Sequence, residues 1–135
     1  MKTSLAFLGT KQKKNESIKA VLIKCKHPPK HFISASAIGL YGNCGDQIVD
    51  ETRSAGNGFL ASVCRDWEHE TKPLAQANIP LSILRIGMVL SKNGGALKTM
   101  LLPFKLGIAG NLGSGNQYMS WITIEDLCSI IEYTV

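Results

Sequence analysis

Phe32-Ile33-Ser34-Ala35-Ser36-Ala37-Ile38-Gly39-Leu40-Tyr41-Gly42 starts as an apolar, strand-like run and then turns small and hydroxylated. It breaks at two glycines that flank Leu40-Tyr41. A buried strand that hands small polar side chains to a loop at its carboxyl end is where open α/β sheets place their chemistry. Side chains alternate along a strand, so Ser34 and Ser36 share one face.

The flanking segments support that reading. Upstream, Ile18, Val21, Leu22 and Cys25 recur at three- and four-residue steps, which predicts an amphipathic helix from about Lys13 to Lys26. His27-Pro28-Pro29 ends it, because proline cannot continue the ladder and restrains the residue before it. The strand is predicted over His31 to Ser36, and residues 43–58, rich in Gly, Asn and Asp, read as loop. From Phe59 the helical period returns, with Phe59, Val63 and Trp67 four apart, Leu60 and Cys64 beside them, and Pro73 kinking the helix near its end. Leu81 to Leu90 is continuously apolar apart from Ser82 and Arg85, and reads as one strand buried on both faces. Asn93-Gly94-Gly95 is a turn, and Ala96 to Phe104 a helix despite Pro103. A glycine-rich stretch over residues 107–117 precedes a short extended segment, Tyr118 to Ile122. Thr123 and Asp126 form a variant capping box that opens a last helix to about Tyr133. Helices alternating with strands predict an α/β fold with a mainly parallel sheet. Residues 1–10 read as a tail and residues 11–135 as one domain-sized unit.

Composition narrows the class. The chain has 135 residues, 44% of them hydrophobic, which suits a folded protein and argues against disorder. No apolar run approaches the roughly 18 residues that span a bilayer. The net charge of +5 is concentrated at the start: residues 1–31 hold eight lysines and one glutamate. Such a segment suits either nucleic acid, an anionic surface or a solvated helix face, and the lack of Arg or aromatic interleaving favours the solvated face. Cys25, Cys44, Cys64 and Cys128 are scattered, with no Cys-x-x-Cys and no histidines at zinc-ligand spacing, so no metal site is expected. Isolated thiols of this kind point to the cytoplasm.

Four ordered blocks carry a resemblance. They are Phe32–Gly42, Phe59–Glu68, Leu84–Gly95 and Leu102–Asp126, the last with Gly113-Ser114-Gly115-Asn116-Gln117-Tyr118-Met119-Ser120-Trp121-Ile122. Together they closely resemble epimerase family 39U of the short-chain dehydrogenase/reductase superfamily, over nearly everything from Lys11 onward. The resemblance implies a partial Rossmann-type fold, an NADP(H) or NAD(H) cofactor and a nucleotide-sugar-like substrate. It also implies that the chain is the central and later part of that fold. The family's glycine-rich strand–turn–helix, which receives the pyrophosphate, has no counterpart here, since Gly9 stands alone. A C-terminal domain is also expected to be lacking.

The resemblance further implies site roles. Ser36 is the candidate hydroxyl that orients substrate, with small-residue packing as its alternative role. Ser34, Ala35, Arg85, Gly87 and Met88 are implied on the cofactor side, and Tyr41, Gly95, Gln117 and Trp121 on the substrate side. Arg85, inside a strand, must either pair with a carboxylate such as Glu68 or Asp126 or reach the site. The superfamily's proton-transfer pair, Tyr-x-x-x-Lys, needs both side chains one helical turn apart. Here those positions hold Phe59 and Val63. The phenol of Tyr41 is expected to bond nearby loop backbone. Two readings follow: a portion of an NADP(H)-dependent oxidoreductase or epimerase, or a nucleotide-binding fold without turnover. The thin sheet also raises self-association through its unfinished edge.

Overall fold

The computed structural model describes residues 20–111 and 113–135. The predicted tail over residues 1–10 and most of the first helix lie outside them; residues 20–24 are helical. Of the predicted stripe, Leu22 packs on the core while Val21 is exposed.

Strand β1 (Phe32–Ala37) runs into a single 3-10 turn, Ile38–Tyr41. The loop that follows folds back, and the Gly56 amide donates to the Leu40 carbonyl at 2.9 Å. A side chain on Gly56 would collide with the Tyr41 carbonyl, so only glycine allows this return. Helix α1 spans Phe59–His69, and a separate short helix α2 spans Lys72–Gln76. Pro73 therefore does not kink one long helix. It sits in the first turn of α2, where its missing N–H costs nothing.

Strand β2 (Leu81–Ile86) pairs in parallel with β1, in the register Phe32↔Leu81, Ser34↔Ile83 and Ser36↔Arg85. The run from Leu81 to Leu90 is not one strand. It breaks at Gly87, and β3 (Met88–Leu90) pairs in parallel with β4 (Trp121–Thr123) instead. The break has a steric cause. The Ser120 carbonyl lies 2.7 Å from where a Gly87 Cβ would stand, and it accepts the Met88 N–H at 2.9 Å. Nor is β2 buried on both faces, for all six of its residues are half-buried. Helix α3 is Gly95–Lys105, and α4 is Ile124–Thr134. Thr123 caps α4 as predicted: its Oγ1 accepts the Asp126 N–H at 3.1 Å and donates to the Asp126 carboxylate at 2.8 Å.

Phe32, Leu74 and Ile79 form the core, with Leu22 and Leu81 against it. Helix α1 buries Ala61 and, of the predicted stripe, Cys64, with Val63 and Trp67 half-buried and Phe59 and Leu60 exposed. Phe59 is 80% exposed. Small side chains at 61 and 64 let the helix come close to the strand, and the first turn, with Phe59, stays in solvent. Burial pushes the Cys64 thiol above its usual range, which makes it inert as a nucleophile.

Candidate functional site

Register brings the site together. Ser36 and Arg85 are partners across β1 and β2, so both side chains leave the sheet on the same face. On that face α1 presents Glu68. The Ser36 hydroxyl donates to Glu68 Oε1 at 2.7 Å. Arg85 forks onto the same carboxylate, Nε to Oε1 at 3.0 Å and Nη2 to Oε2 at 2.9 Å. Arg85 Nη1 then donates to the Tyr41 phenol oxygen at 2.8 Å and to the Glu51 carbonyl at 3.2 Å. The guanidinium carbon also lies 5.3 Å from the Tyr41 ring centroid, within cation–π range.

Three other chain segments therefore meet on one arginine of β2: helix α1, the turn at Tyr41 and the loop at Glu51. Its charge is compensated by a carboxylate that is 14% exposed, while its own side chain is 23% exposed. Burial works against the Glu68 charge, but the hydrogen bonds from Arg85 and Ser36 and the Arg85 charge outweigh it, so the carboxyl is held below its usual range. The Glu68 hydrogen bonds drive the Arg85 guanidinium further up, so the pair is ionised at any working pH.

Of the predicted partners of Arg85, Glu68 is the one found; Asp126 is taken up by the α4 cap. Tyr41 departs from expectation. Its phenol bonds Arg85, which lies 44 residues away, and not the loop backbone.

The candidate residues fall into three groups. Ser34 and Ser36 are both buried beneath the helix face, and the Ser36 proton is spent on Glu68. Ala35 alternates to the other face of β1. Tyr41, Arg85 and Gly87 line a cavity of about 520 Å³ whose apolar wall includes Ile83, Ile122 and Leu127. The close approach that Gly87 permits is made by the Ser120 carbonyl. Met88 lies just beyond it, at the start of β3.

Tyr41 and Gln117 line a second, polar cleft of about 620 Å³ between residues 41–49 and 114–120. Gly95 opens α3 with φ of 68°, and Trp121, 58% exposed, opens β4; neither lines these two spaces. Sequence reasoning did not single out Asn43 and Gln47 on the wall of this cleft, although glycine-flanked amides in a loop are a usable signal for a binding wall. Among the described residues no cluster of His, Cys, Asp or Glu is suited to a metal ion.

The pyrophosphate cradle is not among the described residues. Gly113 and Gly115 have positive φ, but they lie between α3 and β4, not between a first strand and its helix. The described part thus supplies a polar cleft and an ion-pair hub.

Parallel strands joined through helices, with polar groups gathered at the carboxyl end of β1, define a Rossmann-type α/β protein. The comparisons agree. A nucleoside-diphosphate sugar epimerase from Corynebacterium glutamicum superposes with a TM-score of 0.80 at 37% identity, over 87% of this chain and 25% of that one. Human epimerase family protein SDR39U1, solved with NADPH, superposes with a TM-score of 0.78 at 30% identity, over 90% of this chain and 41% of that one. Epimerase family protein Mb2239 of Mycobacterium bovis is 48% identical over 104 residues, which cover 77% of this chain and 35% of its own length. No protein-family model matches the chain. The chain belongs to epimerase family 39U of the short-chain dehydrogenase/reductase superfamily. It spans about a third of the length of the curated relatives it matches.

Proposed function

We propose that the chain is the substrate-side portion of an NADP(H)-dependent oxidoreductase or epimerase that acts on a nucleotide-sugar-like substrate in the cytoplasm. The observation that carries this reading is the match to human SDR39U1, a protein solved with NADPH, at a TM-score of 0.78. The polar cleft at the carboxyl end of β1 supports it, since ligands of open α/β sheets bind there. The four free cysteines suit a reducing compartment. A second reading, nucleotide binding without turnover, is favoured by Phe59 and Val63. They stand where the superfamily's proton donor and its lysine are expected, and neither can move a proton.

The test is a titration of NADPH with the purified chain, followed by nicotinamide fluorescence and by the unfolding temperature. The expected result is saturable enhancement with a dissociation constant in the micromolar range, about −8 kcal/mol. At a hundredfold excess of ligand over that constant the fold gains about 2.7 kcal/mol. The absence of both enhancement and thermal protection at millimolar NADPH would refute cofactor binding by this chain. Binding with neither reduction nor epimerisation of any nucleotide-sugar in a panel selects the second reading.

A further inference from the structure

A further cavity, of about 450 Å³, opens between the loop at Arg53, helices α1 and α2, and strand β2. It shares no lining residue with the polar cleft, and only Ile83 and Arg85 with the apolar-walled cavity. Leu81, Ile83 and Arg85 alternate onto the sheet face that α1 covers, so β2 forms its floor, with Leu40 and Ala75 beside it.

The floor is largely apolar and the rim is cationic. Arg53, Arg65, His69 and Lys72 line the cavity from three segments. Arg65 and His69 stand one turn apart on α1, and Lys72 starts α2. The buried Thr71 hydroxyl donates to the Glu68 carbonyl at 2.7 Å and fixes the corner between the two helices. Among the described residues Glu68 is the one carboxylate on the wall, and Arg85 holds both of its oxygens. Arg53, Arg65 and Lys72 are therefore left there without a carboxylate to meet them. Arg65, His69 and Lys72 have no hydrogen bond or ion pair among the described residues. Arg53 spends Nη1 on the Gln47 side-chain oxygen at 2.6 Å, which anchors the guanidinium and leaves its other N–H groups as donors.

The carbonyl end of α1 attracts a base such as His69. It does not account for Arg53, which reaches the same rim from the loop before α1. Converging like charges repel, and an anion seated between them removes that cost. Two guanidiniums suit phosphate oxygens, since each can hold two. A monoester carries about two negative charges near pH 7, a match for this rim, and its substituent can lie on the apolar floor. No aromatic ring lines the cavity for a base to stack on, which disfavours a nucleic-acid strand.

We propose that this corner cavity binds a small phosphate monoester, with the phosphate on Arg53, Arg65 and Lys72 and an apolar substituent over Leu81 and Ile83. The site lies apart from the polar cleft and does not depend on the reading above.

Amide NMR shifts of the 135-residue chain, titrated with phenyl phosphate, test it. Saturable shifts are expected at Arg65, His69, Lys72 and Ala75, with residues 43–46 and 114–120 unmoved. Phenol, which lacks the phosphate, should not shift these amides, and inorganic phosphate should bind more weakly than the ester. Arg65→Gln should weaken binding about threefold, within the range of an exposed ion pair, and with Lys72→Gln added about tenfold. Both positions are exposed, so the double variant should keep its unfolding temperature. Arg65→Gln alone serves if the double variant fails to fold. The proposal is overturned by the absence of saturable shifts at millimolar ester, by unchanged affinity in the folded variants, or by phenol moving the same amides as strongly. Inorganic phosphate that matches the ester shows an adventitious ion only, and a short DNA oligonucleotide that binds more tightly shows a nucleic-acid surface. Either result also overturns it.

Discussion

Glu68→Gln is the most informative single substitution. The carboxylate accepts three hydrogen bonds, one from Ser36 and two from Arg85, at 2.7, 3.0 and 2.9 Å. Glutamine keeps one carbonyl oxygen, loses the charge and turns an NH2 toward a guanidinium that can only donate. Breaking a fully buried pair by removing one partner costs about 3–5 kcal/mol. Loss of a hydrogen bond to a charged group costs about 1.5–3 kcal/mol. Both partners retain some water contact, at 23% and 14% exposure. The lower range therefore applies, and we expect about 2 kcal/mol at pH 7. For a chain of this size that is a fall of about 6–10 °C in the unfolding midpoint.

The pH dependence has a definite sign. The folded Glu68 carboxyl lies below the ordinary 4.5, so its stabilisation is complete above that pH and fades as pH falls through the folded value. Glutamine does not titrate. The gap between wild type and Glu68→Gln is therefore full at pH 7 and narrows below about pH 4.5. Urea unfolding followed by circular dichroism at pH 7, 5 and 3 measures it. With Arg85→Met added, the double variant should lose at least about 1 kcal/mol less than the sum of the singles. A gap under about 0.5 kcal/mol at pH 7, within the ordinary scatter of surface changes, refutes the reasoning. So does a gap of equal size at pH 3.

Three other substitutions probe the frame. Gly87→Ala places a Cβ 2.7 Å from the Ser120 carbonyl oxygen, a backbone atom that cannot swing away. It should cost about 1–3 kcal/mol in urea unfolding and expose the Met88 amide to hydrogen exchange. Thr123→Ala removes the α4 cap, and a loss of about 1 kcal/mol is expected, with Thr123→Ser restoring most of it. Phe59→Tyr should leave stability within about 0.5 kcal/mol, because the ring is 80% exposed; a larger change would mean that α1 packs in another phase.

Local signals carried much of the architecture. The small, hydroxylated strand falls at Phe32–Ala37, within a residue of its expected place, because alternation and the flanking prolines and glycines act locally. The α4 cap is likewise a four-residue pattern. Readings that depended on neighbours fared differently. Phe59, Val63 and Trp67 have the right period for a helix, but period does not fix which stripe faces the sheet. Cys64 lay on the predicted stripe and is buried, but Ala61 is buried because a small residue permits close approach, a property that an apolar count overlooks. The Leu81–Leu90 run looked uniform, and only the later segment ending at Ser120 divides it at Gly87.

The site shows the same division between local and distant information. Two serines two residues apart had to share a face, and both are buried. What Ser36 does there depends on the register that sets it beside Arg85 and on the helix that brings Glu68 over both. Once that carboxylate takes its proton, Ser36 has no proton left for a ligand. The Tyr41 phenol oxygen accepts from Arg85, which the same carboxylate holds. Glu68 thus withdraws one hydroxyl and orients another. Its loss should therefore reach Tyr41 as well as the fold. If Glu68→Gln shifts the NMR resonances of the Tyr41 ring at pH 7 while the chain stays folded, Arg85 transmits that effect. If those resonances are unchanged in the folded variant, Tyr41 is held by its loop and turn alone, and the ion pair serves stability only.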